Sequence, residues 1–209
     1  MADAQTSGRG RRGRTWFSPP QAGLYVSTIL APSRSIDRER ATQLTTLAAG
    51  VALVEGIKAA TGLVAALKWP NDLYVARRKL AGILAESAGD AVVLGYGINV
   101  SPASYPPELG DRATSLETEL GRSVDRPRVL AETLVALASR YQDLLDGRFD
   151  VILDAWRALA PAGQGARVSW TTPAGEHSGV TAGIDERGAL LVRSGDRVER
   201  IVAGEVIWL

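Results

Sequence analysis

Residues 67–87, LKWPNDLYVARRKLAGILAES, are the stretch around which the rest of the chain is organised. A short apolar run over residues 63–67 predicts a buried strand that ends at Lys68. The next four residues, 69–72, stop this strand, because proline has no N–H for a strand ladder and Asn and Asp favour turns. We therefore expect a strand followed by a tight turn at this position.

The second half of the stretch predicts a hairpin. Residues 73–75 resume an extended pattern, residues 76–78 form a polar turn, and residues 79–86 return as a strand. The hairpin places Lys68 and Lys79 at strand ends, close to an Asn–Asp pair. Each residue alone also fits ordinary structure, as a solvated strand end or a turn. A simple hairpin, however, needs neither a lysine at each end nor a Trp–Pro turn.

The composition of the 209-residue chain limits the classes of function. Its 45% hydrophobic and 22% charged residues are ordinary for a globular protein of one domain plus a small second one. The absence of cysteine excludes a disulfide scaffold, a zinc-thiolate site and a cysteine nucleophile, and it fits a reducing compartment. Since His177 is the single histidine, we expect no multi-histidine metal site and assign no residue as a metal ligand.

The distribution of apolar and charged residues predicts a cytoplasmic protein. No apolar run approaches the ~18–20 residues that span a bilayer, and the arginine-rich N-terminus lacks the apolar core of a signal peptide. The net charge is +1, of which Arg9, Arg11, Arg12 and Arg14 contribute +4, which leaves −3 for the rest of the chain. Positive charge is thus concentrated in one loop, and we expect neither DNA nor a membrane as a partner.

Residues 5–14, QTSGRGRRGR, predict a mobile loop that binds an anion. Glycine lets the backbone approach a ligand closely, and guanidinium groups can hold an anion through two hydrogen bonds. Two alternatives stay open from these residues alone: a solvated basic tail, and an RNA-binding segment of the RGG type. The loop runs directly into Trp16 and a predicted strand over residues 24–30, which argues against a tail.

The segments on either side of the hairpin predict a helix and a strand that carries two glycines. Apolar residues at spacings of three and four predict a helix between an N-cap at Asp37 and a stop at Gly62. Residues 91–100 predict a strand in which Gly95 and Gly97 leave no side chain on one face, as at a bulge or beneath a flat ligand. Asn99 ends that strand, where it can bind a base or ribose or simply begin the next loop.

Two further helices follow, and both are predicted to be structural. Asp125 caps the first helix. The second, over residues 152–159, places Trp156 against the core. The apolar stripe of the first helix is predicted to consist of Leu130, Leu134, Leu137, Tyr141 and Leu144.

Beyond residue 162 the pattern changes to short strands. Turn sequences over residues 173–175 and 185–188 separate these strands, which together predict a small SH3-like barrel. We therefore expect an α+β protein with two domains, over residues 1–162 and 163–209.

Taken together, these motifs resemble one known family. GRGRRGRTWFSP, KWPNDLYVARRKLAGILAE and GYGIN, in this order, are similar to the catalytic domain of biotin protein ligases. GVTAGIDERGALLV followed by GEV resembles the C-terminal SH3-like domain of the same family. The resemblance covers nearly the whole chain, and it implies a mixed sheet with packing helices of the class II synthetase and biotin ligase type, followed by the small barrel.

The resemblance also implies a reaction. The family joins the biotin carboxylate to the α-phosphate of ATP with Mg²⁺, releases pyrophosphate, and transfers biotin from biotinyl-5′-AMP to a lysine of a biotin carboxyl carrier protein. The expected carrier is the acetyl-CoA carboxylase subunit. Lipoate ligases share the fold, but KWPND together with GRGRRGR indicates biotin. The oligomeric state is left open, with a homodimer as one alternative.

The resemblance assigns roles to individual residues. Lys79 contacts the biotin carboxylate and the phosphate, and Arg9 and Arg11 act with it in catalysis. Asp72 either orients lysine or helps to place Mg²⁺. The biotin-binding residues implied are Gln5, Arg9, Gly10, Arg11, Lys79, Gly82 and Leu84. The residues implied for ATP or the adenylate are Trp16, packed on the adenine, with Asn71, Asp72 and Asn99.

The chain also departs from the family pattern. Family members carry a strand, a helix and a Ser–Thr–Asn motif before the arginine loop, whereas here residues 1–4 precede it and the chain contains no Ser–Thr–Asn triplet. We therefore expect an N-terminally incomplete catalytic domain, from a late start codon or a truncation, and weak biotin binding. No helix-turn-helix precedes the loop, so a repressor role is not expected. A non-catalytic homologue that binds ATP or the carrier domain stays open as an alternative.

Overall fold

The computed structural model of the protein describes residues 1–172 and 175–209. The first of its two sheets contains Gly23–Leu30 (β1), Ala66–Lys68 (β2), Asp72–Val75 (β3), Arg78–Ala88 (β4) and Ala91–Asn99 (β5). The helices are Arg38–Thr61 (α1), Leu116–Leu120 (α2), Arg126–Leu145 (α3) and Phe149–Leu159 (α4). The second sheet contains Gln164–Thr172 (β6), Gly175–Ile184 (β7), Leu190–Ser194 (β8), Arg197–Ile201 (β9) and Val206–Trp208 (β10). This is an α+β architecture followed by an all-β domain.

The first sheet has the strand order β1-β5-β4-β3-β2, and every ladder between its strands is antiparallel. The prediction of a mixed sheet was therefore wrong. Strands β2 to β5 follow one another through short turns, and a short turn can join only antiparallel neighbours. The single long connection, through α1, leads from β1 to β2 at opposite edges of the sheet, so it creates no parallel pair.

Helix α1 is confirmed at both ends. The Asp37 side chain accepts a hydrogen bond from the Arg40 backbone N–H at 3.0 Å, and Gly62 ends the helix with a left-handed φ of 83°. One side of α1 covers the sheet, where Gly50 contacts Leu67 of β2. The other side packs so closely on α3 at Gly56 that a side chain there would collide with the α3 backbone.

By length and composition α1 is also apolar enough to cross a membrane, and in this respect it departs from the expectation that no segment comes close. A helix in the core of a globular protein has the same composition. In this case 67% of the most apolar 18-residue window is buried inside the molecule. Packing on the sheet and on α3 therefore accounts for its apolar sequence.

The apolar stripe predicted for helix α3 is confirmed at four of its five positions: Leu137 and Leu144 are buried, and Leu130 and Tyr141 are partly buried against the core. Leu134 of the predicted stripe is 37% exposed, whereas Val129 and Thr133 are completely buried. The reason is that α1 approaches α3 at Thr133, through the glycine at position 56, so the buried face is rotated away from Leu134. Trp156 of α4 is buried, as predicted.

The second sheet has the order β10-β6-β7-β8-β9, with antiparallel ladders throughout. Within the described ranges no ladder joins the edge strands β10 and β9, so the predicted barrel is seen here as an antiparallel sheet. The turn over residues 185–188 is confirmed, because Asp185 accepts hydrogen bonds from the backbone N–H groups of Arg187 and Ala189, each at 2.9 Å. The predicted turn at 173–175 falls on residues 173 and 174, which lie outside the described residues. The domain boundary at residue 162 stays a prediction.

Candidate active site

A row of directly opposed residues crosses the sheet face that α1 leaves open. Lys68 on β2 lies opposite Asp72 on β3, Asp72 lies opposite Gly82 on β4, and Gly82 lies opposite Gly97 on β5. Directly opposed residues on neighbouring strands point to the same face, so these four positions share one surface. One end of the row thus carries a lysine and an aspartate, and the other end carries two glycines.

Lys79 and Asp72 form the charged centre of this surface. The Lys79 ammonium lies 2.6 Å from Asp72 Oδ1, as an ion pair without good hydrogen-bond alignment. Their side chains are 30% and 21% exposed, so solvent and ligands can still reach both. The sequence left two roles open for Asp72. The geometry supports the first of them, the orientation of lysine.

Trp16 covers the two glycines of the row. A Cβ built at Gly97 would lie within 2.8 Å of Trp16 Cζ2, and one built at Gly82 would lie 3.0 Å from Trp16 Cζ3. The Lys79 ammonium lies 5.5 Å from the centre of the same indole ring. Of the two alternatives for the glycines of β5, a bulge or a floor beneath a flat group, the structure shows the second at Gly97, and the flat group is the protein's own indole. Its Nε1 is buried without a hydrogen-bond partner among the described residues.

The arginine loop is anchored on both domains by its side chains. Arg9 pairs with Glu86 of β4 at 2.9 Å, and both side chains are exposed. Arg11 donates a hydrogen bond to the Asn71 side chain at 3.1 Å. On the other side of the loop, two further arginines pair with one carboxylate of the C-terminal domain: Arg12 and Arg14 both contact Glu205.

Three other predicted site residues have mainly structural partners. Gln5 accepts a hydrogen bond from the Ser18 hydroxyl at 2.7 Å, at the base of the loop. Asn71 directly precedes β3, and its side chain donates to the Ile83 carbonyl at 2.7 Å, which extends the pairing of β3 with β4. Asn99 is buried and donates to the Thr114 carbonyl at 3.0 Å. The structure thus brings Lys79, Asp72, Trp16 and Gly82 together, with Arg11 and Asn71 beside them, whereas Gln5, Arg9 and Asn99 lie around this cluster.

A cleft of about 480 Å³ adjoins the cluster, between the first sheet and the C-terminal domain. Arg11, Asn71 and Leu84 line its N-terminal side, and Arg187 and Arg200 line its C-terminal side. Leu84 is on the same face of β4 as Gly82, since strand side chains alternate. The cleft is therefore the concave part of the site, and Lys79 and Trp16 lie outside it on the open sheet face.

The charged groups around the row perturb one another's acidity. Burial lowers the pKa of Lys68, and the positive charges of Lys79 and two arginines add to this effect against the opposing charge of Asp72. Burial, reinforced by Asp72, raises the pKa of Tyr74 to about 12. Burial also lowers the pKa of Arg11. The site is thus a partly dehydrated surface with an excess of cations.

The described residues contain no cluster of three His, Asp, Glu or Cys side chains that could enclose a metal ion. Mg²⁺ does not need such a cluster, because it keeps several waters and binds through one or two carboxylates together with substrate phosphates. Asp72 is a carboxylate of this kind, at the centre of the cationic surface. The residues therefore fit a magnesium ion that arrives with a phosphate ligand.

Reasoning from sequence missed three contacts of the site. Glu205 was quoted only as part of the GEV motif, and nothing local indicates that it reaches the arginine loop. Trp208 of β10 stacks on Lys68, which depends on how the second domain docks. Trp69 donates a hydrogen bond to the Gly188 carbonyl at 3.0 Å and so ties the KWPND motif to the C-terminal domain.

Two family models match this chain, one in its N-terminal part and one in its C-terminal part. The Biotin/lipoate A/B protein ligase family matches residues 1–102, and the Biotin protein ligase C terminal domain matches residues 165–208. The biotin–[acetyl-CoA-carboxylase] ligase of Paracoccus denitrificans is 36% identical over 219 residues, which cover 100% of this chain and 89% of that protein. The chain belongs to the biotin protein ligase family.

Two further members of the biotin protein ligase family extend this comparison. The bifunctional ligase/repressor BirA of Bacillus spizizenii is 38% identical over 213 residues. These residues are 99% of this chain but 64% of that protein, so the chain spans less than two thirds of its length. The structure of the biotin protein ligase from Aquifex aeolicus in complex with biotin and ATP superposes with a TM-score of 0.84 at 30% identity, over 99% of this chain and 86% of that one.

Proposed function

We propose that this protein activates biotin with ATP to biotinyl-5′-AMP and transfers the biotinyl group to a lysine of a biotin carboxyl carrier protein. The observation that supports this most directly is the Lys79–Asp72 pair beside Trp16, on a floor made by Gly82 and Gly97. The floor has room for a flat ligand once the indole moves. The Lys79–Asp72 pair supplies a cation, the Lys79 ammonium, at the edge of this floor.

Lys79 makes the first step feasible because it reduces repulsion between two anions. A carboxylate oxygen of biotin forms a bond to the α-phosphorus, and the bond from that phosphorus to the departing pyrophosphate breaks. Negative charge grows on the phosphoryl oxygens in the transition state, where a fixed ammonium stabilises it. Asp72 holds the Lys79 side chain in place for this role.

The arginine loop protects the product of this step from water. A mixed anhydride hydrolyses readily, and closure of a loop over it excludes water from the site. Arg11 donates a hydrogen bond to Asn71, and the Gly10 backbone N–H closes the loop by donating to the Arg14 carbonyl at 2.7 Å. In the second step the amine of the carrier lysine attacks the biotinyl carbonyl, AMP leaves with the electron pair of the broken bond, and the ammonium loses a proton.

The finer assignments belong to the same proposal. Asp72 would help to hold Mg²⁺, which neutralises phosphate charge when it is bound. The carrier is expected to be the subunit of acetyl-CoA carboxylase, as the name of the Paracoccus relative indicates for that protein. The C-terminal sheet would be the SH3-like domain, which begins after residue 162 and closes part of the site through Glu205.

The direct test is biotin transfer. The protein is incubated with ATP, Mg²⁺, biotin and a carrier domain, and the product is detected on an avidin blot. Lys79→Ala should lower adenylate formation by at least about 100-fold, because loss of one electrostatic contact to the transition state typically costs 10²–10³ in rate. Lys58→Ala is the matched control, since this lysine is exposed on α1, on the far side of the sheet.

An unimpaired Lys79→Ala variant would refute the assigned role. Absence of labelled carrier with the wild-type protein, together with retained ATP binding, would instead support a binding protein without ligase activity.

A further inference from the structure

Lys79 reaches the open face of the first sheet because β4 carries one extra residue. The register between β3 and β4 shifts between Leu73 and Tyr74, so that Leu80 is the extra residue of β4. In a regular strand Lys79 and Gly82, which are three positions apart, would point to opposite faces. The bulge turns them to the same face, where the Lys79 ammonium lies 3.4 Å from a Cβ built at Gly82. The orientation of Lys79 therefore depends on how firmly this bulge is held.

Residues 112–114 hold the bulge on the side away from β3. The ladder between β4 and β5 begins at Ala81, so the backbone of Lys79 lies beyond its end. There the Lys79 N–H donates to the Arg112 carbonyl at 2.8 Å, and the Lys79 carbonyl accepts from the Thr114 N–H at 2.9 Å. These two hydrogen bonds form a short parallel bridge that takes the place of the missing ladder.

Glu119 of α2 fixes this bridge to the strand. One oxygen of its carboxylate, Oε1, accepts hydrogen bonds from the Thr114 hydroxyl and, at 2.8 Å, from the Arg78 guanidinium. Thr114 is fully buried and the Glu119 side chain is 14% exposed, so water competes little for these bonds. Arg78 directly precedes Lys79 in β4 and points to the other face. The Glu119 carboxylate therefore fixes β4 on the face opposite the Lys79–Asp72 pair.

We infer that Thr114 and Glu119 are positioning residues for biotin activation, and that they act through Lys79. Apolar side chains could join α2 to β4 at least as stably as a buried ion pair, whereas directional hydrogen bonds specify a single arrangement. A fixed ammonium stabilises the charge that grows on the phosphoryl oxygens, and a displacement of about 1 Å can cost as much as 10²-fold in rate. This inference rests on the proposed function, because it concerns the first step of the same reaction.

The position of Lys79 can be measured without any activity, because the chain contains only three lysines. The whole protein is treated with the N-hydroxysuccinimide ester of acetic acid, and acetylation of each lysine is followed by mass spectrometry. Thr114→Val should raise the acetylation rate of Lys79 by about 3- to 5-fold, since loss of one hydrogen bond lets the ammonium leave Asp72 more often. Thr114→Ser retains the hydroxyl and should restore the wild-type rate. The exposed Lys58 is the internal reference.

The kinetic test separates positioning from stability. In biotinyl-5′-AMP formation Thr114→Val should lower kcat by at least about 10-fold and leave the KM values for biotin and ATP within about 2-fold, because a misplaced Lys79 is felt mainly in the transition state. Thr45→Val is the matched control, since it removes an equally buried hydroxyl that donates to the Ala41 carbonyl within α1 at 2.9 Å. It should leave kcat within about 2-fold of wild type.

A second variant covers the case in which Thr114→Val does not fold. Glu119→Gln keeps the shape of the side chain but weakens both hydrogen bonds, so it should lower kcat by about 3-fold and raise Lys79 acetylation. Glu117→Gln is its control on the same helix, because the Glu117 carboxylate accepts from the Val124 N–H at 3.1 Å and has no part in the bridge.

The outcomes distinguish this inference from the proposed function. If the wild-type protein forms no adenylate, the proposed function fails, yet acetylation of Lys79 still decides whether Thr114 and Glu119 position it. Wild-type acetylation of Lys79 in both variants, or faster acetylation with unchanged kcat, would overturn the inference. So would an equal loss of kcat in Thr45→Val and Thr114→Val, since it would reflect lost stability alone.

Discussion

At the scale of single residues, the site depends on two positions that lack a side chain. Gly82 and Gly97 are opposite each other on β4 and β5, and Trp16 fills the space above them. The indole thus occupies a surface that a flat ligand would use. Residue type at these two positions controls both the packing of the loop and the access of the ligand.

Gly97→Ala should displace Trp16. The added methyl group would overlap the indole, and overpacking of this kind costs roughly 1–3 kcal/mol. We expect adenylate formation to fall by about 10-fold or more and the tryptophan emission to shift. Gly95→Ala, two residues earlier on the same strand face, is the control, because its Cβ would make only ordinary contacts of 3.7 Å and beyond. Equal activity of the two variants would contradict this account of the floor.

At the scale of elements, local patterns predicted most of the fold. The caps of α1, the hairpin that contains KWPND and the short strands beyond residue 162 are all found, because each depends on turn or cap chemistry within a few residues. The mixed sheet was wrong, and so was the place of Leu134 in the apolar stripe of α3. Both depend on which surfaces meet in three dimensions, and in α3 the deciding contact is with Gly56, more than 70 residues away.

The site was predictable to the same extent. Lys79, Asp72, Trp16 and Gly82 lie within or next to recognisable motifs, and the structure brings them together. The role of Glu205 as a partner of the arginine loop and that of Trp208 as a partner of Lys68 were not predictable, since no local pattern indicates how the second sheet docks on the first.

The turn between β7 and β8 should make stability depend on pH. Burial of Asp185 opposes its charge, but hydrogen bonds from Arg200 and from the backbone N–H groups of Ala189 and Arg187 outweigh this and lower its pKa. A lowered folded-state pKa stabilises the protein above the ordinary carboxyl pKa, about 3.9, and this stabilisation is lost as pH falls through the folded-state value. Asp185→Asn should therefore be less stable than wild type at pH 7, by about 1–2 kcal/mol.

The measurement is urea unfolding at several pH values between 7 and 3. The difference between wild type and Asp185→Asn should shrink only below about pH 4. Asp196→Asn, at an exposed position in the next turn of the sheet, serves as the control and should show little difference at any pH. A gap of constant size over the whole range would show that the charge of Asp185 contributes nothing.

At the scale of the whole molecule, the two domains meet at the site. The turn that ends at Gly188 accepts a hydrogen bond from Trp69, and Arg187 in the same turn pairs with Glu39 of α1 at 2.6 Å. On the opposite side of the cleft, Glu205 pairs with the arginine loop. The C-terminal domain thus contacts both the motif that carries the charged pair and the loop that would cover the adenylate.

Glu205→Gln should loosen the arginine loop. Exposed salt bridges contribute on the order of 0.5 kcal/mol each, so loss of two should raise the rate of tryptic cleavage within the loop by about 3- to 5-fold. Cleavage is followed by mass spectrometry in the absence of ligands. Glu176→Gln, exposed in the same sheet, should leave the rate unchanged. Identical cleavage rates for wild type and Glu205→Gln would mean that Glu205 does not restrain the loop.

The placement of lysine has a consequence for self-modification. An acyl-adenylate that escapes into solvent acylates whatever amine it meets, and this chain contains only three lysines among 24 basic residues. Two of them, Lys68 and Lys79, are half-buried in the site and engaged by aromatic rings or a carboxylate. Apart from the terminal amine, Lys58 is then the one readily acylated group. Under the proposed function, a surface built on arginine would therefore leave an escaped intermediate to react with the carrier's lysine rather than with this protein's own lysines.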